Sequence, residues 1–263
     1  MTMLGAAERR FWERNGYLWI ERFLAANEVA AIRCWTEEIG AWPDAPGRWM
    51  RYYERAPGGE EGKVLARIEN FLPFHTGLDG LFRSGRLAGL LADLLGEPAV
   101  VFKDKINMKA AGGAGFAPHQ DAPAYRDFGI DFHATVMVPV DAFTRENGCL
   151  EVAREASQPT LLAQNPDGTL RADVVARLEY VPILAKPGDL IVFDSYVPHL
   201  SKPNRSADPR RSYYVTYNRR SAGDMRETYY ARKRQLFPPD CERQPGVDYA
   251  KIGAQFNLAN PFE

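Results

Sequence analysis

Apolar positions recur at helical spacing in two stretches of the first hundred residues, and beyond them alternation and short apolar runs prevail. Val29, Ile32, Trp35 and Ile39 mark an amphipathic helix opening at the candidate N-cap Asn27. Leu87, Leu90, Leu91, Leu94 and Leu95 form a second helical stripe, and both stripes read as core. Residues 8–15 predict a short helix stopped by Gly16, and residues 17–20 a strand. Residues 48–55 and 64–71 are strand-like and flank Pro57-Gly58-Gly59, which predicts a hairpin. Residues 100–109 alternate, with Phe102, Ile106 and Met108 on one side and Lys103, Lys105, Asn107 and Lys109 on the other. Further strands are expected at 133–141, at 149–152 after the Asn147-Gly148 turn, at 181–184 and 190–193 around Lys186-Pro187-Gly188-Asp189, and at 212–217. Residues 157–177 turn polar and read as a loop outside the barrel. A helix follows Asn218 to about Gln235, and Pro238-Pro239 opens an irregular tail that covers the barrel or a neighbouring subunit.

Many short strands punctuated by Gly and Pro predict a mainly β fold with flanking helices, a double-stranded β-helix or cupin-like jelly roll. For such a fold 263 residues make one domain. Its expected parts are an N-terminal helical layer and hairpin over about 1–97, a jelly-roll core over about 98–220, and a C-terminal helix and tail over 221–263. All five tryptophans lie between Trp12 and Trp49, where they pack the N-terminal layer on the sheet. A net charge of -1 with 25% charged residues argues against nucleic acid and anionic membrane as partners. No apolar stretch approaches the roughly 20 residues that span a bilayer, and residues 1–5 lack a leader pattern, so a soluble, cytoplasmic monomer or homodimer is expected. Three scattered cysteines, Cys34, Cys149 and Cys241, suit neither a disulfide framework nor a zinc ribbon.

The chemistry concentrates in Pro118-His119-Gln120-Asp121. If that segment is extended, His119 and Asp121 project from one face, because strand side chains alternate. A second histidine would complete the two-His, one-carboxylate face that holds non-haem Fe(II) and leaves positions open. The remaining histidines are His75, His133 and His199. His199 follows the apolar run 190–193 and so sits at the mouth of a buried strand; His133 is the weaker candidate. Arg210 and Ser212 share a strand face, and a guanidinium beside a hydroxyl suits a carboxylate, which implies a diacid cofactor.

His119-x-Asp121, Asn147-Gly148-Cys149-Leu150, His199-x-Ser201 with Pro203-Asn204, and Arg210-x-Ser212 resemble, in order and spacing, the phytanoyl-CoA dioxygenase superfamily of Fe(II)/2-oxoglutarate oxygenases. The likeness runs from about Ala7 to Asn218. It implies that His119, Asp121 and His199 bind Fe(II), that 2-oxoglutarate meets Arg210 and Ser212, and that O2 takes the last iron position. It further implies that Ser201, Asn107, Lys105 and Phe116 help hold the cofactor, and that substrate is hydroxylated with release of succinate and CO2. Because Asp121 is a carboxylate where related halogenases carry a small residue, hydroxylation is favoured over halogenation; desaturation or cyclisation would use the same ligands. Lys103, Tyr125, Arg51, Tyr53, Arg67 and Asn70 are the candidate substrate contacts, although solvent is an equally good occupant for Lys103 and Lys109. A small polar or anionic metabolite is expected as substrate, an aminoalkylphosphonate or amino-acid derivative for example. The rival readings are a natural-product tailoring oxygenase and a hydrolytic or non-catalytic cupin-like metal protein.

Overall fold

The computed structural model describes residues 3–57, 61–156 and 159–256. The chain opens with α1 (Ala6–Asn15) and β1 (Tyr17–Ile20), then α2 (Ala26–Gly40), the antiparallel strands β2 (Met50–Arg55) and β3 (Lys63–Glu69), and the helices α3 (Thr76–Arg83) and α4 (Gly85–Leu95). Strands β4 (Ala99–Lys109), β5 (Phe116–His119), β6 (Ala134–Pro139) and β7 (Leu150–Ala153) follow. After the single-turn α5 (Ala172–Val175) come β8 (Tyr180–Ile183), β9 (Leu190–Asp194), β10 (His199–Ser201) and β11 (Arg210–Arg219), and then α6 (Arg226–Leu236) and α7 (Tyr249–Ile252).

Two antiparallel sheets face each other. The larger has the order β1-β9-β6-β11-β4-β3-β2 and the smaller β5-β10-β7-β8, which is the expected jelly roll with helices against it. One face of the larger sheet, through Ile68, Ile106, Val136 and Val192, packs on α2, α3 and α4, which contribute Ile32, Ile39, Leu78, Phe82 and Leu90. Between the sheets lie Met137, Leu150, Val152, Ile191 and Phe193. A third apolar cluster, Phe102, Tyr125, Phe128, Tyr229 and Phe256, closes the end covered by α6 and the tail. Among the described residues no helix is long and apolar enough to cross a membrane.

Several local expectations change. Helix α2 starts at Ala26 with Ala25 as its cap, not Asn27, because the Glu28 carboxylate accepts from the Ala25 amide at 2.7 Å and satisfies the chain entering the helix. The β2–β3 hairpin is an integral edge of the larger sheet; of its expected turn, Gly58 and Gly59 lie outside the described residues. In β4 a register shift opposite Thr216 and Tyr217 breaks the alternation read from the sequence. Val101 therefore joins Ile106 in the helix-side core, while Phe102 turns to the other side beside Tyr125. Asp104, fully buried, accepts from the Phe71 amide at 2.7 Å and pairs with Arg226 at 2.5 Å, tying α6 to β4. The polar stretch after residue 156, whose Ser157 lies outside the described residues, is not a free loop. It returns to the sheet edge, where the Leu170 amide donates to Pro118 O at 2.7 Å and Thr169 bridges to His119.

Glycines admit the exit of β10. A Cβ on Gly115 would stand 2.3 Å from Ser201 O, and one on Gly148, whose φ is 68°, 1.9 Å from Lys202 O. Gly47, with φ 79°, has nothing within 4 Å. Gly148→Ala is therefore expected to lower thermal stability by about 2 kcal/mol or more beyond Gly47→Ala, which carries backbone strain alone. Equal shifts of the two melting curves would contradict this account.

Candidate metal centre and its cavity

Strands β5 and β10 pair antiparallel with His119 directly opposite His199 and ring centroids 4.2 Å apart. His119 Nδ1 lies 2.7 Å from Ala117 O and His199 Nδ1 2.9 Å from Val197 O. With each Nδ1–H donating to its carbonyl, both Nε2 lone pairs are left for a shared ligand. Asp121 arrives differently from the sequence expectation. Strand β5 ends at His119, and Asp121, with φ −76° and ψ −27°, heads the 3-10 turn Ala122–Phe128. The turn is pinned by the Ala122 amide donating to Ser195 O at 2.8 Å. The buried Gln120 side chain braces it further, donating to Tyr196 O at 2.5 Å and Thr160 O at 3.0 Å while accepting from the Leu162 amide at 2.9 Å.

One ligand atom from each of His119, Asp121 and His199 lies within 4.8 Å of the other two. Two imidazoles and a carboxylate on one side of a point fit Fe(II) with positions left open. Burial pushes His119 down to about 3 and lowers His199 as well, so both rings are neutral, the form a metal requires. Burial would raise the Asp121 carboxyl, but the positive charges of Lys103 and then Lys105 outweigh it and hold the group below the usual carboxylate range. His133 stays outside the cluster. Its ring centroid is 4.6 Å from those of Phe102 and Tyr125, and burial pushes it to about 3.

Arg210 opens β11 at 1% exposure, opposite Lys109, and Ser212 lies opposite Asn107. Arg210 Nε and Nη1, Ser212 Oγ and Asn107 Oδ1 are buried with no hydrogen-bond partner among the described residues, and the guanidinium carbon lies 4.6 Å from the Phe143 ring centroid. Unmet buried polar atoms cost about 1–3 kcal/mol each, so this group is built for a ligand, and its donors fit a carboxylate. Ser201 is close by but engaged: its Oγ accepts from Lys109 Nζ at 2.9 Å, and the same ammonium donates to Lys202 O at 2.6 Å. Lys109 thus faces the interior rather than water, and burial, with Arg210 beside it, pushes its pKa down to about 6.

Beyond the ligands lies a small cavity of about 50 Å³ whose wall includes Arg67, Glu69, Lys103, Lys105, Phe116, His119 and Asp121. Lys105 was expected to help hold the cofactor; it stands opposite Tyr214, four residue pairs along from Arg210 and Lys109, and lines this cavity with Lys103. Tyr125 packs behind Lys103, whose Nζ is 4.6 Å from its ring centroid. Arg51 and Tyr53 are not brought here. In β2 the inward positions are Met50, Tyr52 and Glu54, so the alternation turns Arg51 and Tyr53 away, where they bind each other and Asp44. Asn70 is likewise committed elsewhere, accepting from Arg226 at 2.8 Å.

The sequence reading missed Glu69, Tyr229, Lys233, Gln255 and Phe256, all on the cavity wall. Glu69 had a signal, since it follows Arg67 by two in a strand. Lys233 had none, because it sits among Arg226, Arg232 and Arg234 in what reads as a solvated basic helix; it is 2% exposed and donates to both Glu69 oxygens, at 2.7 and 2.6 Å. Against the cost of burial, Lys233 and then Arg67 hold Glu69 down at about 2, while burial pushes Lys233 to about 7.

The sequence profile of the family described as phytanoyl-CoA dioxygenase (PhyH) matches residues 12–212, more than half of the chain. The chain belongs to that family. A 2-aminoethylphosphonate dioxygenase from an uncultured bacterium is 43% identical over 263 residues, covering 100% of both chains. A methylphosphonate hydroxylase from Gimesia maris is 43% identical over 253 residues, covering 96% of this chain and 95% of its own. Among solved structures, EctD from S. alaskensis with 2-oxoglutarate and 5-hydroxyectoine superposes with a TM-score of 0.69 at 21% identity, covering 83% of this chain and 77% of EctD, a likeness of fold. This member of the family is an Fe(II)/2-oxoglutarate-dependent dioxygenase that hydroxylates a small molecule.

Replacing Arg210 with Met is expected to raise the KM for 2-oxoglutarate about 30-fold or more, since removing one partner of a buried charged pair costs about 2–5 kcal/mol. Iron binding measured by titration without 2-oxoglutarate should remain near that of the parent protein. A parent-like KM would show that the cofactor's far carboxylate lies elsewhere.

Proposed function

We propose that this dioxygenase hydroxylates a C–H bond of a small organophosphonate. The observation that carries the reading is a pair of ammonium groups, Lys103 and Lys105, on the cavity wall next to His119 and Asp121, with no hydrogen-bond acceptor or ion-pair partner among the described residues. Lys103 Nζ lies 4.6 Å from the Tyr125 ring centroid and Lys105 Nζ 5.0 Å from that of Tyr214. A buried Lys103 and a half-buried Lys105, whose charges Asp121 offsets only in part, are costly unless a further anion joins them. Around the cavity the basic groups Arg67, Lys103, Lys105 and Lys233 outnumber the carboxylates Glu69 and Asp121, while burial pushes Lys105 and Lys233 down to about 7, where a bound anion would draw the proton back. A phosphonate anion matches that surplus of basic groups, and the small cavity favours a short chain. The names of the two relatives at 43% identity point the same way.

Each group of residues then has a task. His119, Asp121 and His199 would hold the ferrous ion, and Arg210 with the Ser212 hydroxyl would donate to the remote carboxylate of 2-oxoglutarate, beside Asn107. Bound together, these cofactors supply the oxygen activation, with release of succinate and CO2. Lys103 and Lys105 grip the substrate's anionic end, so that its short carbon chain lies beside the metal ligands. Phe116, Tyr229 and Phe256 present rings that exclude water from the same space.

Succinate release should be stimulated by methylphosphonate or 2-aminoethylphosphonate and not by ectoine. Lys105→Met and Lys103→Met are each expected to raise the phosphonate KM about 10- to 100-fold, the range for a lost hydrogen bond to a charged group. Stimulation by ectoine with none by either phosphonate would refute the assignment.

A further inference from the structure

The part of the cavity wall contributed by the C-terminal region consists of Tyr229, Lys233, Gln255 and Phe256. The family match ends at residue 212, whereas the 2-aminoethylphosphonate dioxygenase aligns along the whole chain. This wall therefore lies beyond the family profile's match and within the stretch that aligns with a phosphonate enzyme. Resting on the organophosphonate reading above, we propose that Gln255 is a substrate-binding residue whose side-chain amide donates to a phosphonate oxygen beside Lys103 and Lys105.

Gln255 Nε2 is buried and has no hydrogen-bond partner among the described residues. Such a donor is expensive to leave unmet, and its position on the cavity wall calls for an acceptor from a ligand. The neighbouring wall residue Lys233 is not available for this, because its ammonium is held by both oxygens of Glu69. A phosphonate presents three oxygens, each able to accept more than one hydrogen bond, so a neutral donor from another element of the same wall adds to the two lysines without adding charge.

The segment carrying Gln255 is firmly docked. Asp248 caps α7 by accepting from the Lys251 amide at 3.1 Å. Gly253 backs onto the end of α6 so closely that a Cβ would stand 2.5 Å from Leu236 O and 2.7 Å from Phe237 Cβ. Phe256 is 6% exposed, with its ring centroid 5.7 Å from that of Tyr229. The 3-10 turn Ala254–Phe256 also packs against Ala122–Phe128, the turn headed by Asp121. Packing on both sides thus holds the amide next to the segment that supplies a metal ligand.

The test is the equilibrium Kd of methylphosphonate and of 2-aminoethylphosphonate, by calorimetry without oxygen on protein loaded with iron and 2-oxoglutarate, alongside KM and kcat in air. Gln255→Leu is expected to raise Kd and KM about tenfold, the effect falling on KM rather than kcat. Gln255→Glu keeps the shape but turns the donor into a carboxylate facing a dianion, and is expected to raise both about a hundredfold or more. A merely structural Gln255 predicts the reverse order, with the near-isosteric Glu milder than Leu, and that order would overturn the proposal. Parent-like affinity in both variants would also overturn it while leaving the phosphonate reading intact. If the parent protein binds neither phosphonate, both readings fall.

Discussion

The pairing of β5 with β10 is the constraint on which the centre depends. Only in that register does His119 face His199, because a slip of one residue turns a strand's side chains to the other side. Each ring is then oriented by the carbonyl two residues earlier in the chain, so local backbone and cross-strand register act together. Gly115 and Gly148 make the register possible by letting the chain leaving β10 pass at contact distance. The third ligand is held independently, by the Gln120 side chain and the Ala122 amide. The metal site is thus the meeting of a strand pair and a braced turn.

A second feature follows the same sheet. Lys109 opposite Arg210, Asn107 opposite Ser212, Lys105 opposite Tyr214 and Lys103 opposite Thr216 form one row along β4 and β11, with successive pairs about 7 Å apart. Polar residues on a buried face work against folding unless something satisfies them. The row makes physical sense as a seat for two anions, a diacid at the Arg210 end and a second anion at the Lys103 end. The Glu69–Lys233 pair, fully enclosed, contributes less to net stability than its short distances suggest, since removing two charges from water offsets their attraction. What it does is join α6 to β3 beside the cavity.

Much of this arrangement was legible in the sequence. Period-two alternation correctly placed Arg210 with Ser212, and Lys103, Lys105, Asn107 and Lys109 together on the polar side of β4. The same rule erred where the backbone departs from a regular strand. It set Phe102 on the wrong side because of the register shift opposite Thr216 and Tyr217, and it brought Asp121 to His119 through a strand that in fact ends before it. Arg51 and Tyr53 were chosen for their chemistry, yet β2 turns Tyr52 inward and leaves them outside. The polar composition of residues 157–177 suggested a loop outside the barrel and carried no sign that Thr169 and Leu170 would bond to the backbone of His119 and Pro118.

The amino-acid sequence by itself determined the residue types of the candidate metal cluster, their order, the β-rich architecture and the shared buried face of Arg210 and Ser212. All of these rest on spacing within single strands and on residue chemistry, which act over a few neighbouring positions. The tertiary structure alone decided how Asp121 reaches the histidines, which face of β2 is enclosed, and that a lysine of a basic helix and a glutamine near the C-terminus complete the cavity. Those outcomes depend on register and packing between segments far apart in the chain, where no local pattern records which surface another segment will cover.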